Sequence, residues 1–412
     1  MLNETVTVVL AGGTGTRLAP LTLDRAKPAV PFGGKYRIID FALSNCLHSG
    51  LRRILVLTQY KSHSLQKHLR NGWSIFNPEL GEYITTVPPQ MRTGENWYEG
   101  TADAIYQNLY LIERSGAQWV LILAGDHIYR MDYEPMLKFH RDSGAGLTVA
   151  CMTVPIDEAG AFGVLSLDEQ KRINHFAEKP EQPQAHPTEP GMASVSMGIY
   201  VFSTSLLLDV LRRDHGLDDS SHDFGSDIIP HLLEGGQVYG YEFGGSDGRV
   251  SQDRYWRDVG TIDSYYAANM DLLKPLPPVD LYQSDWHVRT YAGQYPPART
   301  APGSFGTEGI CINSISSSGT VITGGSVQNS ILFNNVFVDE DSFIENSLLF
   351  DGVKVGKGCR IKNCIVDKYV NIPDGTVVGY DLEADRKCYI QSPQGINVIA
   401  KNHKFINEIT IP

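Results

Sequence analysis

From Ile315 onward, aliphatic residues recur in steps of six, six and five. One column is Ile315, Leu332, Leu349 and Val366, a second Val321, Val338, Val355 and Ile372, and a third Val327, Ile344, Ile361 and Val378. Each column repeats every 17 residues, and Asn329, Asn346 and Asn363 keep the same period at the turns between them. With about a quarter of residues being Ile, Leu or Val, twelve such hits arise by chance with a probability on the order of 10⁻⁷. A sandwich of ordinary hairpins does not hold such a register. Three short strands per coil, each sending one aliphatic residue inward, is the pattern of a parallel β-helix of hexapeptide repeats, whose coils stack into one continuous core.

The chain before this region has another texture. Val6–Leu10, Arg53–Thr58, Trp119–Ala124 and Leu147–Met152 are apolar, β-rich runs ending in polar or glycine turns. Between them Ile38–Leu47 and Ala102–Ile112 place apolar residues at helical spacing, and Ser196–Phe202 adds a further strand. Such alternation predicts right-handed crossovers and an α/β domain with a mostly parallel, helix-covered sheet. Pro180–Pro190 reads as a loop. Pro275, Pro277 and Pro278 break any helix near Lys274–Pro278, and Pro296, Pro297 and Pro302 prolong irregular chain to about residue 305. The expected organisation is therefore a domain over 1–275, a linker over 276–305 and the β-helix over 306–412.

The 412 residues carry a net charge of −12, which argues against nucleic acid as a partner. The charge is unevenly spread. Residues 1–75 hold ten Lys and Arg against three acidic residues, a balance of +7, whereas residues 76–275 hold 14 against 30, a balance of −16. The six cysteines form no C-x-x-C pair and no cluster with His, as expected of free thiols in a reducing cytoplasm. No apolar run reaches the roughly 18 residues of a membrane span, and Val6–Leu10 is too short for a signal peptide. A soluble, cytoplasmic protein is expected.

The first strand and its turn read VTVVLAGGTGTRL over Val6–Leu18. Gly12, Gly13 and Gly15 allow backbone N–H groups to approach phosphate oxygens, Thr14 and Thr16 add hydroxyls, and Arg17 adds a cation. The dinucleotide-binding fingerprint fails because Leu18 stands at its last glycine, and no Gly-Lys followed by Ser or Thr makes a P-loop. Leu10–Leu18 followed by Arg25-Ala-Lys-Pro-Ala-Val30 resembles the signature of sugar-1-phosphate nucleotidylyltransferases. Gly33–Asn45 (GGKYRIIDFALSN), Glu95–Ala104 (ENWYEGTADA), Ala124–Tyr129 (AGDHIY), Glu178-Lys179-Pro180, Ser221–Gly225 (SHDFG) and Tyr255–Thr261 (YWRDVGT) narrow the resemblance to the ADP-glucose pyrophosphorylases. It covers nearly the whole chain.

The resemblance implies a Rossmann-like nucleotidyltransferase domain followed by a left-handed β-helix. It implies a glucose-1-phosphate adenylyltransferase activity, in which ATP and glucose 1-phosphate give ADP-glucose and pyrophosphate for glycogen or other α-glucan synthesis. Arg17 and Lys27 are suited to neutralising the leaving pyrophosphate, and with Asp126 they form the implied catalytic set. Asp126 and Asp258 are the implied Mg²⁺ ligands. The nucleotide falls to Leu10, Ala11, Gly12, Gly13, Thr14, Gly15 and Thr16, with Gln59, Gly100, Thr101 and Asp103 near the base and ribose. Asp103 has a second reading as an anchor behind the site. Tyr98, Gly163, Glu178, Lys179 and Ser196 surround glucose 1-phosphate, with Lys179 on its phosphate. Trp97 reads as a packing residue. The family also implies a homotetramer and allosteric control.

Two departures bear on that control. Asp24 and Pro31 stand where fructose-1,6-bisphosphate-activated relatives carry a basic residue and a histidine, and an Asp repels a bisphosphate. Arg25 and Arg37 remain as residues for a smaller anionic effector, so a different activator or weak regulation is expected. Thr14 replaces a basic residue of many relatives, which is expected to tune ATP binding. Three alternatives stand beside the main reading. Another nucleotide and sugar pair is one, and a non-catalytic regulatory subunit is another. A β-helix acyltransferase is the third, disfavoured because no His lies between His287 and His403.

Overall fold

The computed structural model describes residues 1–90, 97–244 and 254–405; Glu95 and Asn96 of the ENWYEGTADA segment and the last seven residues of the expected β-helix domain lie outside them. The chain forms two compact units, one of Met1–Gly13 with Phe41–Trp256 and the other of Thr14–Asp40 with Arg257–Pro412.

The first unit is built on a nine-stranded sheet: β1 (Thr5–Ala11), β2 (Arg53–Thr58), β3 (Tyr83–Val87), β4 (Trp119–Ala124), β5 (Leu147–Pro155), β6 (Gly163–Leu167), β7 (Ile173–Glu178), β8 (Met192–Ser203) and β9 (Val238–Glu242). The order β7-β6-β8-β4-β1-β2-β3 runs across it, and β5 joins β8 to β9. Strands β4, β1, β2 and β3 are mutually parallel, which makes the core of the sheet, and the long β8 runs antiparallel to β4, β5 and β6. The near-continuous apolar runs of β1, β2 and β4 follow from burial on both faces, as a parallel core requires.

Two expectations need adjustment. The helix foreseen over Ala102–Ile112 is two helices, Thr101–Tyr106 and Leu109–Ser115, parted at Gln107-Asn108. Asn108 Nδ2 donates to the Ala104 carbonyl at 2.8 Å and to the Tyr98 hydroxyl at 3.0 Å, and Gln107 Nε2 donates to Asp103 at 2.8 Å. These local bonds compete with a continuous helical ladder. The strand foreseen over Leu147–Met152 continues to Pro155 because β8 pairs with it as far as Met192.

In the second unit, short strands stack in parallel register into a prism. Val327, Leu332, Val338, Ile344, Leu349, Val355, Ile361, Val366, Ile372 and Val378 are all at most 3% exposed, so ten of the twelve column residues line its core. Asn313, Asn329, Asn346 and Asn363 turn the corners with φ near +45°, a left-handed conformation that Asn tolerates. The two exceptions lie near the start of the prism, where stacked strands are 16 residues apart. Ile315 pairs with Ile331 and Val321 with Phe337, and Ile322 points inward beside Val338. With a side-chain period of two, a one-residue shift exchanges the faces, which leaves Ile315 and Val321 half-buried. The prolines also do not keep the chain irregular to residue 305, since Arg299–Ala301 pairs with Val321–Thr323.

Thr14–Asp40 packs within this same unit. Arg25, 5% exposed, donates from both terminal nitrogens to the two oxygens of buried Asp367, at 2.9 and 3.1 Å. The Gly33 N–H donates to Asn269 at 2.9 Å, and the Tyr265 hydroxyl donates to the Pro31 carbonyl. Among the described residues no helix is long and apolar enough to cross a membrane.

Removing one partner of a buried pair leaves the other charge desolvated and uncompensated. Asp367→Ala is therefore expected to lower stability by about 3–5 kcal/mol, read from denaturant midpoints; a loss below about 1 kcal/mol would contradict the burial. A second test concerns pH. Buried His140, held between the hydroxyls of Thr148 (2.8 Å) and Ser203 (3.3 Å), has its pKa pushed down by burial to about 4. The unfolded chain takes the proton near pH 6.5, so stability falls as pH drops from 6.5 toward 4, by up to about 3 kcal/mol. His140→Gln should flatten that window, and parallel stability curves for parent and variant would refute it.

Candidate active site

In the first unit the implied nucleotide residues gather at the carboxyl ends of β1, β2 and β4, where open parallel sheets bind ligands. Leu10 pairs with Leu57 and Ala124, and Ala11 with Thr58, so the Gly12-Gly13 turn lies beside Gln59. A Cβ on Gly12 would stand 3.1 Å from the Gln59 side chain, whose Nε2 donates to the Tyr98 carbonyl at 3.2 Å. Gly13 is exposed with open space about it. Gly125 donates to the Leu10 carbonyl at 2.9 Å, which sets Asp126 directly beyond β4 with its carboxylate about one-third exposed. His127 Nε2 lies 3.7 Å from that carboxylate.

Gly100 begins the helix Thr101–Tyr106. Asp103, 6% exposed, accepts from the Glu99 N–H at 3.0 Å and from Gln107 Nε2. These bonds tie Asp103 to the turn that precedes the helix. Tyr98 is half-buried, its hydroxyl accepts from Asn108, and burial raises its pKa.

Of the implied sugar-phosphate residues, Gly163, Glu178 and Lys179 lie at the β6–β7 hairpin, where Gly163 pairs with Glu178. Lys179 follows in a left-handed turn (φ +43°), with Nζ donating to Glu178 Oε1 at 2.5 Å and the side chain 61% exposed. Ser196 lies on β8 just before an irregularity in its pairing with β5, and its hydroxyl accepts from the Gly198 N–H at 3.3 Å.

In the second unit, Gly15 turns with φ +62°, and a Cβ there would meet Thr22 and Lys27 at 3.1 and 3.2 Å. Thr14, Thr16 and Arg17 are exposed, Arg17 on the single helical turn Thr16–Leu18. Lys27 is 6% exposed and donates to Asp258 Oδ1 at 2.7 Å. A Cβ on Gly260 would fall 2.9 Å from Asp258 Oδ2 and 3.2 Å from an Arg17 terminal nitrogen, so the glycine leaves room for both side chains. Sequence spacing does not foreshadow a pair 231 residues apart.

The residues assigned to an effector look different in the folded chain. Arg25 is engaged by Asp367, and Arg37, its pKa lowered by burial, has Asp40 and Asp351 as charged neighbours. Asp24 is exposed and Pro31 buried. Sequence reasoning gave no role to the residues of Ser221–Gly225. Here Asp223 accepts from the Thr101 hydroxyl at 2.8 Å, and the presence of His and Asp in that motif was the available signal.

A family model described as Nucleotidyl transferase matches residues 6–275, and one described as GlmU-like, C-terminal hexapeptide matches residues 296–399. The chain is 62% identical over 404 residues to Glucose-1-phosphate adenylyltransferase 2 of Vibrio vulnificus, which covers 98% of this chain and all of that relative. Against the protein of the same name from Vibrio cholerae the identity is 58% over 407 residues, covering 99% of this chain and all of the relative. Glucose-1-phosphate adenylyltransferase of Methylococcus capsulatus is 47% identical over 399 residues, with 97% of this chain and 94% of the relative covered. Nucleotidyltransferases of this kind generally use a divalent metal. The chain belongs to the nucleotidyl transferase family and, within it, to the glucose-1-phosphate adenylyltransferases.

Proposed function

We propose that the chain joins ATP to α-D-glucose 1-phosphate, giving ADP-glucose and pyrophosphate. The observation that carries this reading is similarity to named glucose-1-phosphate adenylyltransferases along the whole chain, site segments included. A phosphate oxygen of glucose 1-phosphate bonds to the α-phosphorus of ATP while the bond from that phosphorus to the β-phosphate bridging oxygen breaks. The nucleophile is already an anion, so alignment and charge neutralisation carry the catalysis. The backbone of Leu10–Thr16 cradles the triphosphate, and Arg17 and Lys27 take up the charge of the departing pyrophosphate. Gln59, Gly100 and Thr101 bind the nucleoside side, with Asp103 anchoring the turn. Lys179 holds the sugar phosphate, Glu178 orients Lys179, and Tyr98, Gly163 and Ser196 shape the sugar site.

Asp126 and Asp258 offer hard carboxylate oxygens, a donor set that fits Mg²⁺. When bound, the ion would polarise the α-phosphate and offset the charge on the polyphosphate. Assembly as a cytoplasmic homotetramer through the prism belongs to the same reading. The buried Arg25–Asp367 pair supports weak or altered allostery, because the arginine already has an anionic partner.

The test is a matrix of nucleoside triphosphates against sugar 1-phosphates, scored by pyrophosphate release. ATP with glucose 1-phosphate should turn over fastest. A faster pair would identify another nucleotidylyltransferase, and no turnover with any pair would identify a regulatory subunit. Chelation should abolish activity and Mg²⁺ restore it, and Asp126→Ala should lower kcat by about 100-fold or more with the fold retained. Millimolar fructose 1,6-bisphosphate should leave activity at low substrate unchanged; strong activation would overturn the reading of Asp24 and Pro31.

A further inference from the structure

The Ser221–Gly225 segment touches both halves of the substrate machinery in the first unit. On one side it terminates the helix Thr101–Tyr106. That helix has no side-chain cap of its own, and the His222 carbonyl instead accepts from the Ala102 and Asp103 N–H groups at 2.8 and 3.3 Å. The approach is close: a Cβ on Gly100 would stand 2.2 Å from the His222 carbonyl oxygen. Thr101 Oγ1 donates to Asp223 Oδ2 and accepts from the Phe224 N–H at 3.1 Å. On the other side, Gly225 makes room for the Glu178 carboxylate, since a Cβ there would lie 2.4 Å from Glu178 Oε2. Asp223 Oδ1 fixes this bend by accepting from the Gly225 and Ser226 N–H groups at 2.8 and 3.2 Å.

What holds the segment is a pair of side chains that touch neither ligand group. His222 takes a left-handed backbone conformation (φ +54°), uncommon for residues other than Gly though His is among those enriched there. Its Nδ1 lies 2.7 Å from Asp214 Oδ2, and Ser220 Oγ donates to Asp214 Oδ1 at 2.6 Å. The His222 N–H donates to Ser220 Oγ at 3.0 Å, which closes a small ring of hydrogen bonds. Burial works against a charge on the imidazole, yet the Asp214 hydrogen bond and the Asp214, Asp103 and Glu99 carboxylates together raise its pKa.

We propose that Ser220–Gly225 is a brace that sets the nucleotide-side turn Tyr98–Asp103 against the sugar-phosphate pair Glu178-Lys179, with His222 and Asp214 as its positioning residues. The proposal rests on the assignment of those two groups to ATP and glucose 1-phosphate above. Loosening the anchor displaces both sides together, whereas disturbing Gly225 displaces only the sugar-phosphate side.

His222→Asn keeps a residue that tolerates the left-handed backbone and removes the imidazole. This variant and Asp214→Asn should each raise KM for ATP and for glucose 1-phosphate together, by about tenfold, with kcat changed less than about threefold. Gly225→Ala should raise KM for glucose 1-phosphate by about tenfold and leave KM for ATP within about twofold. In the ligand-free state, amide exchange at Ala102 and Asp103 should be faster in both anchor variants than in the parent. If neither variant folds, the parent decides: glucose 1-phosphate alone should slow exchange at Ala102 and Asp103. A KM change confined to one substrate in the anchor variants, unchanged exchange at those amides, or no protection by glucose 1-phosphate would each overturn the brace. A parent that does not turn over ATP and glucose 1-phosphate would overturn the functional reading instead, and ligand-free exchange in Asp214→Asn would still decide the mechanical link.

Discussion

Two buried cations two residues apart, Arg25 and Lys27, decide where the second half of the glycine-rich turn can sit. Neither can be buried without an anion, because desolvation of a lone charge exceeds what packing returns. Lys27 finds Asp258, and Arg25 finds Asp367, on a corner of the prism. The alternation along Arg25-Ala-Lys thus anchors one short stretch at two places far apart in sequence. Thr14–Asp40 consequently belongs to the compact unit of the prism, although sequence continuity attaches it to β1. The unit of the prism therefore also holds the second half of the glycine-rich turn.

The prism was legible because its physics is periodic. One inward aliphatic residue per strand and one left-handed Asn per coil repeat without reference to anything distant. The misplacement of Ile315 and Val321 came from the start of the prism, where one missing residue inverts the faces. The strand ends carrying Gly12, Gln59 and Asp126 were legible for a similar reason, since apolar runs ending in glycine mark the carboxyl edge of a parallel sheet. The break at Gln107-Asn108 was not, because both residues fit a helix and only their side-chain partners end it. The Lys27–Asp258 and His222–Asp214 pairs lie outside periodic reasoning altogether. Resemblance named Lys27 and Asp258 and gave no hint that they touch.

The pairing of Lys27 with Asp258 also bears on the electrostatics of catalysis. A cation that leaves water needs an anion beside it, and Asp258 supplies one to Lys27 at 2.7 Å. The reorganisation needed on ligand binding is then small. Under the proposed function, a polyphosphate that drew on the ammonium would meet a cation already desolvated. Arg17, by contrast, is exposed and bears no desolvation cost. The opening +7 of residues 1–75 is thus divided between cations held ready by internal anions and cations left to solvent, and only the second kind adds to attraction at long range.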